Sequence, residues 1–200
     1  MEQFLETAVV AAQAAGQIII ENLGKLSSDD ISQKQASDFV TRTDKDSEAC
    51  IVNIIRQRYP YHRVLAEESA EKDLPGNDYR WIIDPLDGTT NYIHQFPAFC
   101  VSIALEFQGR IVAGVIFDPL RKELFSAGKG SGAFLNGGPI EISGVDDPAY
   151  SLVATGFPFR KKDFIDAYMK LFKKILFKAG DLRRAGSAAL DLAYVAAGRL

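Results

Sequence analysis

Two short apolar segments of this chain each end in a pair of acidic residues. "RVLAEE" ends in Glu67 and Glu68, and "WIIDPLD" carries Asp84 and Asp87 at its end. Apolar runs of this length, bounded by turn signals, are typical of buried β-strands. If the two strands are neighbours in register, four carboxylates meet at one edge of a sheet. Because unpaired carboxylates at close range repel one another, a positive group is then expected between them.

The neighbouring residue types indicate which positive group fits. No cluster of His or Cys lies near these acids, and oxygen ligands alone suit Mg²⁺ first, then Mn²⁺ or Ca²⁺. Pro85 fixes the backbone between the two aspartates and helps turn the carbonyl of Leu86 outward as a further ligand. The other interpretation of strand-end acids is that they cap a helix or keep a sheet edge soluble, and it fits each residue alone better than the whole set.

"GTTNYIH" follows directly and predicts the start of a helix, whose free amides form an anion site. A divalent cation beside exposed amides suits phosphate chemistry, in which a metal polarises the phosphoryl group and activates a water. Thr89 is placed to orient that water if Asp44 accepts its proton.

Composition excludes several other classes of protein. The chain has 200 residues, of which 47% are hydrophobic, enough for one compact domain or two small lobes. Its net charge of −3 argues against direct binding of nucleic acid. Cys50 and Cys100 indicate reduced core cysteines of a cytoplasmic protein, and neither a membrane-spanning apolar stretch nor a basic signal peptide is expected.

The order of elements predicts an α+β fold with layered helices and a large, mostly antiparallel sheet. Periodicity and turn signals predict helices over 4–23, from Thr43 or Asp44 to Tyr59, over 161–178 and over 187–198, and strands over 99–107, 110–117 and 122–127. Residues 25–37 are expected to form a loop or a weak hairpin.

Residues 81–97, "WIIDPLDGTTNYIHQFP", resemble the metal-binding signature of the inositol monophosphatase family, whose members are Mg²⁺-dependent, lithium-sensitive phosphatases. "SDFVTRTD", "AEES", "GAFLNG" and "GFPFR" fall in the same order as similar words of that family. The resemblance covers the whole chain and implies the layered αβαβα sugar-phosphatase fold. It implies one unit, 1–200, with a metal-binding part over about 1–140 and a C-terminal part over about 141–200.

The resemblance also implies roles for individual residues in metal binding and catalysis. Glu68, Asp84 and the Leu86 carbonyl would hold a first metal ion, Asp84 and Asp87 would contribute to a second, and Glu68 would touch a weaker third. Glu67 would support these ligands from behind. Thr89 with Asp44 would activate the attacking water, so Glu68, Thr89 and Asp44 are the expected catalytic residues.

Substrate binding is expected at two places. The backbone amides of Gly88 and Thr89 would hold phosphate and Asp87 would face a sugar hydroxyl. Gly186, Ser187 and Ala188 would line the substrate pocket.

Other charged residues receive less specific expectations. His62 and His94 are expected to be structural or surface residues. Arg183 and Arg184 are expected to order the pocket or to lie at a dimer interface. Solvent-exposed positions are favoured for Lys34, Arg160 and Lys161 over phosphate or substrate contacts.

The expected function is hydrolysis of a small polyol or sugar phosphate, with inositol 1-phosphate foremost, by a cytoplasmic homodimer. Fructose 1,6-bisphosphate, histidinol phosphate and 3′-phosphoadenosine phosphate are alternative substrates of the same fold. A function of a different class is participation in a transcription antitermination complex with RNA polymerase. The family continues to a Trp-Asp motif that completes the second metal site, and because this chain stops at "YVAAGRL" we expect it to be an incomplete portion.

Overall fold

The computed structural model describes residues 2–35, 38–69, 78–159 and 162–200. The side chain of Lys34 and the whole of Arg160 and Lys161 fall outside the described part, so their expected roles are not addressed. The helices in the described part are α1 (Glu2–Asn22), α2 (Arg42–Arg58), α3 (Thr89–Ile93), α4 (Ile165–Leu176) and α5 (Ala188–Ala196). The strands are β1 (Ile31–Gln35), β2 (Asp38–Thr41), β3 (Arg63–Ala66), β4 (Tyr79–Asp87), β5 (Cys100–Phe107), β6 (Arg110–Asp118), β7 (Glu123–Gly128), β8 (Gly132–Leu135), β9 (Gly138–Pro139), β10 (Leu152–Ala154) and β11 (Asp181–Arg183).

Within these ranges, β3 to β9 form a seven-stranded sheet whose spatial order follows the chain. β3 and β4 run parallel, and the pairs from β4 to β9 are antiparallel. The large, mostly antiparallel sheet and the α+β class expected from the sequence are confirmed. β1 and β2 form a separate antiparallel hairpin, and β10 and β11 form a short parallel pair.

One face of the sheet is covered by α1 and α2, and this interface is the core. α1 packs on β5 to β7 through a stripe of small residues. Gly16 sits in that stripe, where a Cβ would lie 2.5 Å from the ring of Phe117 on β6. A glycine is therefore required for α1 to lie this close to the sheet. α1 has the length and apolar character of a membrane span, but seven of its residues are buried in this core.

α2 begins earlier than the sequence predicts, and the difference matters for the site. Its N-cap is Thr41 and not Thr43 or Asp44. Asp44 is the third residue of the helix, and its Oδ2 accepts hydrogen bonds from the Thr41 backbone N–H at 2.9 Å and from Thr41 Oγ1 at 2.5 Å. This capping box holds the Asp44 carboxylate in a fixed orientation.

His62 is half-buried beside aromatic residues that pack against the core, and it has a structural role, as expected. Its ring stacks on Tyr59 and on Tyr79, with centroid distances of 4.7 Å to each. Its Nδ1 accepts a hydrogen bond from the indole N–H of Trp81 at 3.1 Å, which requires an unprotonated Nδ1. Burial lowers the pKa of His62 below its ordinary value of 6.5.

We therefore predict that acidification weakens the fold through His62. Because the folded-state pKa is lowered, the stabilisation is present above pH 6.5 and is lost as pH falls through the folded-state pKa. The midpoint of thermal unfolding of His62→Gln, which keeps an acceptor for Trp81 but does not titrate, should rise relative to that of the wild type as pH falls from 7.5 through 6.5 to 5.5. His94→Gln, at an exposed position, is the control and should keep a constant difference from the wild type. An unchanged pH profile in His62→Gln would contradict this assignment.

Candidate metal centre and substrate cavity

The parallel pairing of β3 with β4 decides which acids meet. Leu65 pairs with Ile82 and Ala66 with Ile83. The Glu67 N–H extends the ladder by donating to the Ile83 carbonyl at 3.2 Å. Because side chains alternate between the two faces of a strand, this register places Glu67 and Asp84 side by side on one face.

Glu68 follows the end of β3 and is half-buried, and if the alternation of the strand continues it falls on the side of Val64 and Ala66, opposite Glu67. Its backbone N–H donates to Glu48 Oε2 on α2 at 2.7 Å. The described wall of the cavity includes Glu67 and does not include Glu68. The structure therefore brings Glu67 to the position at which the sequence analysis expected Glu68.

Among the described carboxyl groups, Asp84 has a strongly raised pKa. Its Oδ1 accepts a hydrogen bond from the Leu86 N–H at 3.1 Å. Burial first, then the charges of Glu67 and Asp87 and a hydrogen bond with the Glu67 side chain, raise the pKa of Asp84 to about 8. A carboxyl group in this setting needs either a proton or a neighbouring cation near neutral pH.

Asp87 ties the end of β4 to the start of α5. Its Oδ2 accepts hydrogen bonds from Ser187 Oγ and from the Ala189 N–H, each at 2.7 Å. Ser187 is itself the N-cap of α5 and is fully buried. Burial raises the pKa of Asp87, the two hydrogen bonds oppose that rise, and the charge of Glu67 adds to it.

The pocket expected at residues 186–188 is thus formed only in part. Gly186 lines the cavity, whereas Ser187 is buried behind it and holds Asp87. Ala188 is exposed but is not part of the described wall of this cavity.

Thr89 and Asp44 are brought together as the sequence analysis expected. The Thr89 hydroxyl lies 3.0 Å from Asp44 Oδ1 and 3.1 Å from the Leu86 carbonyl oxygen, and its one hydrogen serves one acceptor at a time. Asp44 is buried, which raises its pKa against the lowering effect of hydrogen bonds from Thr41 and Thr89. α2 therefore presents Asp44 Oδ1 to the site while Oδ2 serves the helix cap.

Gly88 makes the turn between β4 and α3. Its φ is +101°, and a Cβ there would lie 2.7 Å from the Ala98 carbonyl oxygen, so only glycine fits. α3 is a single short helix of five residues, and its first amides have no partner within the helix. Gly88, Thr89 and Thr90 all line the cavity beside the carboxylates.

The cavity has a volume of about 690 Å³, within the roughly 300–1,000 Å³ that is usual for small-molecule sites. Its wall also contains four residues to which the sequence analysis gave no role, Gln33, Phe39, Asn91 and Phe159, together with Arg184, which was expected to order the pocket or to lie at a dimer interface. Asn91 follows the Gly-Thr-Thr turn and donates to the carbonyls of Ala98 and Ala185, at 2.6 and 2.8 Å. The available signal for Asn91 was its position within the acidic signature, whereas Phe159 lies in "GFPFR" and Arg184 follows much later in the chain.

The donor set fits a hard divalent cation. The described His, Cys, Asp and Glu side chains form no group of three or more that encloses a metal ion. However, the Glu67 carboxyl group lies close enough to Asp84 to raise its pKa, as does the charge of Asp87, and two carboxylates at this range need a proton or a cation between them. Replacing that proton by Mg²⁺ or Mn²⁺ would relieve the same repulsion with oxygen ligands only, including the Leu86 carbonyl.

Fold and site together define a phosphatase of the layered sugar-phosphatase type. The chain matches the inositol monophosphatase family over residues 1–200 and belongs to it. It is 46% identical over 200 residues to the Nus factor SuhB of Escherichia coli K12. The alignment covers 100% of this chain and 75% of that protein.

Solved structures agree with this family. SuhB from Bartonella henselae superposes with a TM-score of 0.91 at 41% identity, covering 97% of this chain and 74% of that one. The inositol monophosphatase of Anabaena gives a TM-score of 0.87 at 43% identity, covering 100% and 73%. Metal dependence is general in the family, and the identity of the metal is a matter for proposal.

The raised pKa of Asp84 predicts how pH and metal act on stability. Because the folded-state pKa lies at about 8, above its ordinary 3.8, stability is full at low pH and is lost as pH rises towards 8. In EDTA, the unfolding midpoint should fall by several degrees between pH 5 and pH 8.5, and less in Asp84→Asn. Added Mg²⁺ should raise the midpoint more at pH 8 than at pH 5. An equal effect of Mg²⁺ at both pH values, or in Asp84→Asn, would contradict the assignment.

Proposed function

We propose that the chain is a Mg²⁺-dependent phosphomonoesterase that hydrolyses a small polyol or sugar phosphate, with inositol 1-phosphate as the preferred substrate. The observation that carries the proposal is the register of β3 with β4, which sets Glu67 beside the half-buried Asp84 in the wall of a cavity. Family membership supports the same class of reaction.

Glu67, Asp84 and the Leu86 carbonyl would hold one cation, and Asp84 with Asp87 would contribute to a second. We assign the ligand role to Glu67 in place of Glu68, because Glu67 lies on the face that Asp84 shares. When bound, Mg²⁺ would polarise the phosphoryl oxygens and lower the pKa of a bound water. Mn²⁺ is the alternative ion for the same oxygen ligands.

The protein's own groups would orient the reactants. Thr89 Oγ, while donating to Asp44 Oδ1, keeps lone pairs that can accept a hydrogen of the attacking water. The amides at Gly88 and Thr89 would bind the phosphate oxygens. Burial of Asp44 fixes this arrangement, since the carboxylate is also held by the α2 cap.

The enzyme would act in the cytoplasm, as its two unpaired cysteines indicate, and as a homodimer, as the family resemblance implies. Fructose 1,6-bisphosphate remains an alternative substrate. A structure related to this chain by a TM-score of 0.80 and 29% identity is described as an inositol monophosphatase bound to 2′AMP, which supports including nucleoside monophosphates in a substrate panel.

The test is phosphate release from that panel, with and without Mg²⁺ and with Li⁺. Glu67→Gln should lower kcat/KM by at least about 100-fold, because Lewis-acid assistance contributes several kcal/mol to such reactions. Glu68→Gln, one residue away on the opposite face, should stay within about threefold of the parent, by the same reasoning that a residue outside the ligand set contributes little. If Glu68→Gln loses activity and Glu67→Gln keeps it, Glu68 and not Glu67 is the metal ligand. Thermal midpoints must show that both variants fold.

A second proposed function is participation in a transcription antitermination complex. The observation that favours it is the 46% identity to a Nus factor. Such a role would use the protein's surface and not its carboxylate site.

This second function predicts that RNA polymerase co-purifies with the tagged chain. Asp84→Asn, which alters a half-buried position inside the cavity, should retain the same amount of polymerase while phosphate release is lost. Failure of the wild-type chain to retain polymerase would remove this function without affecting the first.

A further inference from the structure

The backbone around Glu67 is held on both sides of its Cα atom. On one side, the Glu67 N–H donates to the Ile83 carbonyl of β4 at 3.2 Å. On the other side, the Glu68 N–H lies beyond the end of β3 and donates to Oε2 of Glu48 on α2 at 2.7 Å. Because each peptide group is planar, fixing the two groups that flank Glu67 fixes its φ and ψ, and so the direction of its Cα–Cβ bond.

The contact made by Glu48 is placed where it can hold the chain firmly. The Glu48 side chain belongs to a residue that is only 5% exposed. A carboxylate that accepts a backbone N–H makes a charge-assisted hydrogen bond, roughly twice as strong as one between neutral groups. Such a bond is electrostatically stronger inside a protein than in water. The end of β3 is therefore anchored to α2 at the residue that follows Glu67.

α2 joins this anchor to the other half of the site. Glu48 follows Asp44 by four residues, so the two carboxyl groups project from the same face of the helix. Oδ1 of Asp44 lies 3.0 Å from the hydroxyl of Thr89. The same face continues with Ile51 and Ile55, which are fully buried in the core. One rigidly packed helix thus holds both the strand end at β3 and the hydroxyl proposed to orient water.

We propose that Glu48 is a positioning residue for the metal site, because it fixes the backbone from which Glu67 reaches towards Asp84. The inference rests on the proposed phosphatase function, in which Glu67 is a metal ligand. Glu48 is not part of the described cavity wall, so its effect is exerted through Glu67. If the contact is lost, the cation must itself order the strand end, and the entropy cost of that ordering weakens metal binding.

The experiment measures Mn²⁺ binding by calorimetry, without substrate, in the wild type, Glu48→Met and Glu48→Gln. Met fills a similar space without an oxygen, and its Kd for Mn²⁺ should exceed that of the wild type about 10- to 100-fold, the range for groups that support a metal ligand. Gln keeps an oxygen that can accept the Glu68 N–H, so its Kd should lie at least about tenfold below that of Glu48→Met. Both variants lack the charge, and their difference isolates the hydrogen bond.

Ser47→Ala is the matched control on the same helix. Ser47 is fully buried, and its hydroxyl has no hydrogen-bond partner within the part of the chain that the structure describes. Its removal should leave the Kd for Mn²⁺ unchanged even if the thermal midpoint moves. The control therefore separates a general loosening of α2 from the loss of the contact with the Glu68 N–H.

The outcomes distinguish this inference from the proposed function. Equal Kd values in the wild type and Glu48→Met, or in Glu48→Met and Glu48→Gln, overturn the inference and leave the proposed metal site in place. Failure of the wild type to bind Mn²⁺ overturns the proposed metal site, and the inference with it. Thermal midpoints establish that the variants fold, and Glu48→Ala takes the place of Glu48→Met if the latter does not.

Discussion

The repulsion among Glu67, Asp84 and Asp87 is the interaction on which the site depends. The fold brings these carboxylates to the end of the β3–β4 pair and buries Asp84 there, at a cost reflected in a pKa raised to about 8. A chain gains nothing in stability from such an arrangement unless a positive charge is bound. The destabilising feature is therefore the best evidence for a ligand, and the family to which the chain belongs is consistent with a metal-assisted phosphatase.

Two of the acids are immobilised by helix N-termini. Asp44 Oδ2 is held in the capping box of α2 while Oδ1 contacts Thr89. Asp87 Oδ2 accepts the Ser187 hydroxyl and the Ala189 N–H at the start of α5. Each helix start thus fixes one oxygen of a site carboxylate, and its positive end favours the charged form. The same hydrogen bonds therefore cap the two helices and fix the geometry of the site.

Local sequence signals predicted much of the fold. The strands expected at 99–107, 110–117 and 122–127 correspond to β5, β6 and β7 within a residue or two, because each is an apolar run bounded by a turn. The small-residue helix at 187–198 and the acidic turn before α3 were also recognised. The N-cap of α2 was misplaced by two or three residues because Thr41, Thr43 and Asp44 are all good N-cap residues.

The sequence could not predict features that depend on how strands pair and how distant segments meet. Choosing Glu67 over Glu68 requires the pairing of β3 with β4, which the acid pair itself does not encode. Ser187 was expected in the pocket, but its hydroxyl turns back to cap α5 and hold Asp87. Phe159 and Arg184 reach the cavity from distant parts of the chain, and neither "GFPFR" nor the expectation that Arg184 orders the pocket gives their position relative to the acids.

The most direct test is the location of the cation. Crystals soaked in Mn²⁺ and measured at the manganese absorption edge should show an anomalous peak about 2.0–2.3 Å from oxygens of Glu67 and Asp84 and from the Leu86 carbonyl, the range for divalent ions with oxygen ligands. Absence of any peak at the end of β3 and β4, or an arginine or lysine side chain between the two carboxylates, would contradict the account.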